Sequence, residues 1–256
     1  MQEHDGGVRY VAIGDSFTEG MGDERADGTP RGWADLVAAG IAEATGEPVQ
    51  YANLAIRGRL LGLILDEQLD VALGLDPAPT MLSLNGGGND MMRRGTDIDR
   101  LLELTEVALR KTTAAGVKML LLSGADPSEH LPFGRVIRRK GTILSAAVTE
   151  LAAKYDALFV NIFGDQEIRR APYWSADRLH LNANGHRRVA GLVLTALGHP
   201  TTAHRVDPGP TSARGLLAEA KYYREHVLPW VTRRLQGRSS GDGRAPKYPV
   251  WTAVGA

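Results

Sequence analysis

Three residue types that together can perform acyl transfer stand far apart in this chain. Ser16 sits in "RYVAIGDSFTEGMG" (residues 9–22). Asp177 and His180 sit in "SADRLHLNANGH" (175–186). A serine hydroxyl is a poor nucleophile without a neighbouring base, and histidine is the usual base. An aspartate three residues before a histidine can reach Nδ1, set the tautomer and stabilise the imidazolium, which leaves Nε2 to face the serine. Each residue also has a plainer reading. A serine before a helix is most often an N-cap, and a histidine is most often packed or at the surface. His186, the rival base, falls where a helical pattern has already begun and takes a structural role.

Acyl transfer also needs donors for an oxyanion. Gly14 permits a tight turn, and a helix starting near Ser16 would aim its free N–H groups at the hydroxyl. Asn89 follows the glycines of the run "NGGGND" (85–90), and Gly58 follows Arg57. An asparagine after glycines is commonly a turn former; here its side-chain amide could also donate to an oxyanion, as could the Gly58 N–H. Asp90 would hold the Asn89 loop or cap the next segment, and Asn53 could brace the Gly58 loop. "GRSSG" (237–241) matches a nucleophile elbow in letters only. That elbow needs a strand, a sharp turn and a helix, which the flanks of Ser239 do not provide. The chain has no H-E-x-x-H, phosphate-loop or dinucleotide motif, so no cofactor or metal is expected.

The elements that must position these residues follow a rhythm. "VRYVAI", "VQYANLAI", "TMLSLN", "VKMLLLS" and "ALFVNI" read as five nearly continuous apolar strands, separated by helical patterns. The helix "IDRLLELTEVALRKTTAAG" is predicted to be capped by Asp97 and stopped at Gly116. Five strand–helix units imply a parallel sheet covered on both faces. Ligands bind outside the carboxyl ends of such strands, where Ser16, Gly58, Asn89 and the 177–180 stretch all fall. Residues 1–200 are expected to form this domain. In residues 201–256, a linker, an amphipathic helix near 215–235 and the closing "YPVWTAV" are expected to pack on the domain or on a partner subunit.

"GDSFTEG", the Gly58 turn, "GGND" and "DRLHLNANGH", in that order, closely resemble the SGNH hydrolases, also called the GDSL esterase and lipase family. The resemblance runs from residue 14 to about 186. It implies a flavodoxin-like three-layer α/β/α fold, here with a five-stranded, mostly parallel sheet, and ester hydrolysis through an acyl-enzyme. Carried onto the matching positions, it implies Ser16 as nucleophile, His180 as base and Asp177 as its partner. The Ser16 and Gly58 N–H groups and the Asn89 side chain would form the oxyanion hole. The four blocks do not account for Arg57, which could shape the acyl or alcohol pocket.

Short-acyl esters are the first expectation for substrate, since no large apolar insertion suggests a lid. An acetyl-sugar esterase, a lysophospholipase, a thioesterase and a non-catalytic binding protein on the same fold remain alternatives. Loops near 59–64, 123–134 and 163–176 are expected to line the pocket, with Phe133, Phe163, Tyr173 and Trp174 as candidate contacts. Thirty basic and thirty acidic residues leave a formal net charge of +0, so no global field recruits nucleic acid. The chain has no cysteine, which excludes thiolate chemistry. With no apolar run long enough to span a bilayer and no leader pattern, the expectation is a cytoplasmic protein without stable membrane insertion. A homo-oligomer formed through the tail is a further expectation.

Overall fold

The computed structural model describes all residues except 1–6, 94, 132–133, 203–204, 206, 211–223, 225–238 and 256. The amphipathic helix expected near 215–235 and Phe133 therefore lie outside the described residues. Strand β1 (Arg9–Ile13) leads into the short helix α1 (Ser16–Glu19), then α2 (Gly32–Thr45) and β2 (Val49–Asn53). Helix α3 (Leu61–Ile64) runs through a π-helical turn at Leu65–Leu69 into α4 (Asp70–Leu73). The alternation continues with β3 (Met81–Asn85), α5 (Gly88–Met91), α6 (Ile98–Ala114), β4 (Lys118–Leu122), α7 (Gly134–Lys154), β5 (Leu158–Val160) and α8 (Ala183–Ala196).

The sheet corrects the expectation in one respect. Among the described residues it has six strands, in the order β5-β4-β3-β1-β2-β6, and not the five-stranded flavodoxin-like arrangement. The first five are parallel. The sixth, β6 (Tyr248–Val254), is "YPVWTAV" itself, laid antiparallel on β2 with Val49 opposite Val254 and Asn53 opposite Tyr248. A tail strand needs no crossover helix, so it can add to an open edge in either direction.

Alternation along the strands splits the core in two and makes the fold three-layered. On one face Tyr10, Ala12 and Tyr51 pack with Trp33 and Val37 of α2 and Val189 and Val193 of α8. On the other, Val11, Ile13 and Leu84 pack with Ile64, Leu69, Leu101 and Leu109. Strand order reverses between β1 and β3, and the crevice at such a reversal is where a ligand is received. Ser16 follows β1 there, and Asn89 follows β3.

Candidate active site

The turn that carries Ser16 is built by close approach. A Cβ on Gly14 would stand 2.7 Å from the Asn85 carbonyl oxygen and 2.6 Å from Thr18 Oγ1. The backbone of Gly14 is held on both sides by one side chain: its N–H donates to Gln68 Oε1 (2.8 Å), and its carbonyl accepts from Gln68 Nε2 (3.0 Å). The cap of α1 is Asp15, which accepts from the Phe17 N–H (3.1 Å). Ser16 is therefore the first helical residue and not the cap, and its hydroxyl is left for other work. It is half-buried.

Asp177 and His180 meet in the loop before α8. His180 Nδ1 lies 2.6 Å from Asp177 Oδ2. Asp177 Oδ1 accepts from Ser175 Oγ (2.6 Å) and from the backbone N–H groups of Leu179 and His180 (3.0 Å each). A carboxylate that accepts can only be met by a protonated Nδ1, so neutral His180 presents Nε2 as an acceptor. Burial works to raise the Asp177 carboxyl, but the hydrogen bond and charge of His180 and the backbone donors outweigh it, and the group is held well below the usual carboxylate range. The loop leaving α1 packs against this segment: a Cβ on Gly22 would lie 3.4 Å from His180 Cβ. The imidazole is also close enough to act electrostatically on Asp15.

Asn89 joins two of the other blocks. Its Nδ2 donates to Asp15 Oδ2 and to the Arg59 carbonyl, both at 3.0 Å. Gly58, at φ +77°, turns the chain between Arg57 and Arg59. Asp90 Oδ2 accepts from the Leu61 N–H (3.1 Å), which ties the Asn89 loop to the Gly58 loop. Arg57 is held by the end of α1. Its N–H (2.7 Å) and its guanidinium grip the buried Glu19 carboxylate, locking the loop to the end of α1. Asn53 donates to the Thr18 carbonyl (3.0 Å) and accepts from the Ala55 N–H (3.1 Å), which braces the approach to that loop. Burial is the main cause that pushes the Asp15 carboxyl up to about 6.

His186 is a core residue, fully buried. Its Nδ1 accepts from the Trp33 N–H (3.2 Å), and its Nε2 donates to the Met21 carbonyl (3.1 Å). Burial lowers its pKa to about 4. Tyr173 and Trp174 are buried in the core. Phe163 does line a cavity of about 50 Å³ beside the Gly86–Asn89 turn, with Leu61, Leu84, Met91, Leu101 and Leu144. Sequence reasoning missed Gln68 and Glu19. A glutamine inside "LILDEQL" and a glutamate three residues after the serine carry no signal that distinguishes them from solvated helix positions. Among the described residues no group of acidic residues and histidines is arranged to hold a metal ion, and no helix is long and apolar enough to cross a membrane.

The model of the GDSL-like Lipase/Acylhydrolase family matches residues 12–188. No curated protein matches the sequence. Among solved structures, the chain is similar to the psychrotrophic esterase EstA from a Pseudoalteromonas species, with 19% identity and a TM-score of 0.60, over 75% of this chain and 97% of that one. It is also similar to the acetylxylan esterase Axe2 from Geobacillus stearothermophilus, with 17% identity and a TM-score of 0.56, over 80% and 98% of the two chains. TesA is similar at 24% identity and a TM-score of 0.57, over 74% and 97%. At these identities the likeness is one of fold.

Proposed function

The chain belongs to the GDSL-like lipase/acylhydrolase family, and from that membership we propose a serine esterase that cleaves short-acyl carboxylic esters through an acyl-enzyme on Ser16. The observation that carries the reading is the 2.6 Å contact between His180 Nδ1 and Asp177, which leaves Nε2 as the proton acceptor. His180 takes the Ser16 proton as the hydroxyl attacks the ester carbonyl. The tetrahedral oxyanion is received by the Ser16 and Gly58 N–H groups and by the Asn89 amide. Asn89 keeps its bond to Asp15 and transfers its other N–H from the Arg59 carbonyl to the oxyanion. His180 then protonates the leaving alcohol, and the same imidazole activates the water that releases the acid. Two solved forms of the acetylxylan esterase are described as catalytic mutants, one at a serine and one at a histidine, which supports these roles by analogy.

The cavity lined by Gly86 and Gly88, on the turn that carries Asn89, is the space we assign to the acyl group; Ser16, Asn89 and His180 are not among its lining residues. At about 50 Å³ it has room for roughly four water-sized groups, and its lining is mainly leucine, methionine and phenylalanine. A second reading, acetyl esters of a sugar, is favoured by the likeness to acetylxylan esterase. Both are tested by one panel of esters that varies acyl length from two to twelve carbons and compares simple with sugar alcohols. Activity is expected to fall steeply beyond short chains; a maximum at long chains refutes the short-acyl reading. Ser16→Ala is expected to reduce kcat at least about 10³-fold with an unchanged unfolding midpoint, and a serine-directed phosphonate should label Ser16. Near-normal turnover in the folded variant, or labelling at Ser239, overturns the assignment.

A further inference from the structure

The last three residues of "GRSSG", a motif set aside in the sequence for want of an elbow, meet the site from outside. Residues Ser239–Asp242 form a tight turn. The Ser239 N–H donates to Asp242 Oδ2 (2.8 Å), the Gly241 N–H to Ser239 Oγ (3.2 Å) and the Asp242 N–H to the Ser239 carbonyl (3.3 Å). This turn lies on the Arg57–Arg59 turn. A Cβ on Gly58 would overlap the Ser239 hydroxyl, and a Cβ on Gly241 would overlap the Arg57 carbonyl oxygen. Asp242 Oδ1 is 3.6 Å from the Arg59 guanidinium, which also pairs with Glu67 at 2.8 Å. Gly241 is buried even though it sits in a loop.

We propose that the turn Ser239–Asp242 is a positioning element of the reaction, clamping the Arg57–Arg59 turn so that the Gly58 N–H holds its place in the oxyanion hole. The proposal rests on the esterase reading above. From inside the molecule the loop is tied by Glu19 at Arg57, by Asn89 at the Arg59 carbonyl and by Asp90 at the Leu61 N–H. From outside, the 239–242 turn fills the space over the glycine, where a left-handed residue with no side chain offers nothing of its own to pack. A misplacement of about 1 Å in such a donor costs on the order of 10²-fold in rate. The clamp is itself anchored by the segment on its C-terminal side: Lys247 Nζ donates to the carbonyls of Glu19 (2.8 Å) and Arg31 (2.6 Å), and β6 pairs with β2. Residues 239–254 lie beyond the family match at 12–188, so the clamp is this chain's addition to the family frame.

The test is Gly241→Ala in the full chain, whose new methyl lifts the turn off the Arg57 carbonyl. An oxyanion donor acts in the transition state and not on bound ester. The expected result is therefore a fall in kcat of about 10- to 100-fold with KM within about threefold, and a matching fall in the rate of phosphonate labelling. Asp242→Ala, which loosens the turn without added bulk, should move kcat in the same direction and serves if Gly241→Ala does not fold. Leu109→Val, on the buried face of α6, supplies the comparison: it should lower the unfolding midpoint and leave kcat alone. Unchanged kcat in a folded Gly241→Ala or Asp242→Ala protein overturns the proposal. So does a loss that tracks the unfolding midpoint equally in all three variants. A wild-type protein that neither hydrolyses any ester of the panel nor takes the label refutes the esterase reading itself, and the clamp falls with it.

Discussion

Asp15 is buried between the Ser16 turn and Asn89, and it accepts from both the Phe17 N–H and Asn89 Nδ2. Both bonds favour its ionised form, yet burial wins and its pKa rises from 3.8 to about 6. A carboxyl whose folded pKa lies above its unfolded value binds protons more tightly when folded. Its contribution to stability is complete below about pH 4 and is lost as pH rises through about 6. The difference amounts to about 3 kcal/mol. Asp15→Asn does not titrate, so the stability of the wild type relative to this variant should fall by about that amount between pH 4 and pH 7. Urea midpoints of the two proteins at both pH values check this, and parallel pH dependences would refute it. The sequence placed Ser16, Asp177, His180, Gly58 and Asn89 at strand ends because small and polar residues interrupt apolar runs there. It did not distinguish Asp15 from Ser16 as the cap. That depends on which side chain turns back to the Phe17 N–H, and adjacent residues of similar capping strength look alike in a string of letters.

At the level of single elements, the π-helical turn at Leu65–Leu69 decides where Gln68 points. A helical pattern between the second and third strands does not announce this turn, because one extra residue per turn shifts everything after it around the axis. The shift brings Gln68 under Gly14, where it is almost fully buried and satisfies both backbone groups. Gln68→Ala leaves a buried N–H and a buried carbonyl without this partner, each at about 1–3 kcal/mol. The expected loss is about 3 kcal/mol in chemical unfolding, with a lower kcat because the Ser16 turn loosens. A loss below about 1 kcal/mol would mean that water replaces the amide. By contrast, α6 was legible at both ends: Asp97 caps it by accepting from the Arg100 N–H (3.1 Å), and Gly116 beyond it sits at φ +68°. Local chemistry of that kind is written in neighbouring residues. The grip of Arg57 on Glu19 spans 38 positions and is not.

Across the whole molecule, the tail joins the domain through a buried charge. Lys247 Nζ lies 2.7 Å from Asp35 Oδ1, which also accepts from the Tyr51 hydroxyl (2.9 Å). Tyr248 packs its ring against Tyr51, with centroids 5.8 Å apart. Removing one partner of a buried pair strands the other, at about 3–5 kcal/mol. Arg25 Nη2 also pairs with Asp35 Oδ2 at 3.0 Å, so Lys247→Met should lower stability by less than that and expose the β2 edge to hydrogen exchange; an unchanged unfolding midpoint would show that Arg25 alone holds the carboxylate. The strand–helix rhythm could not announce β6, since nothing in a βα repeat says which open edge a distant heptapeptide will choose.

The same strand sets where the sheet stops. β6 is the last in the order, and beyond it Val250 stands 64% exposed to solvent. A neighbouring molecule seeking to extend the sheet along that rim meets Pro249, whose nitrogen carries no hydrogen to offer. A ladder with a missing rung is a poor template for stacking copies into fibres.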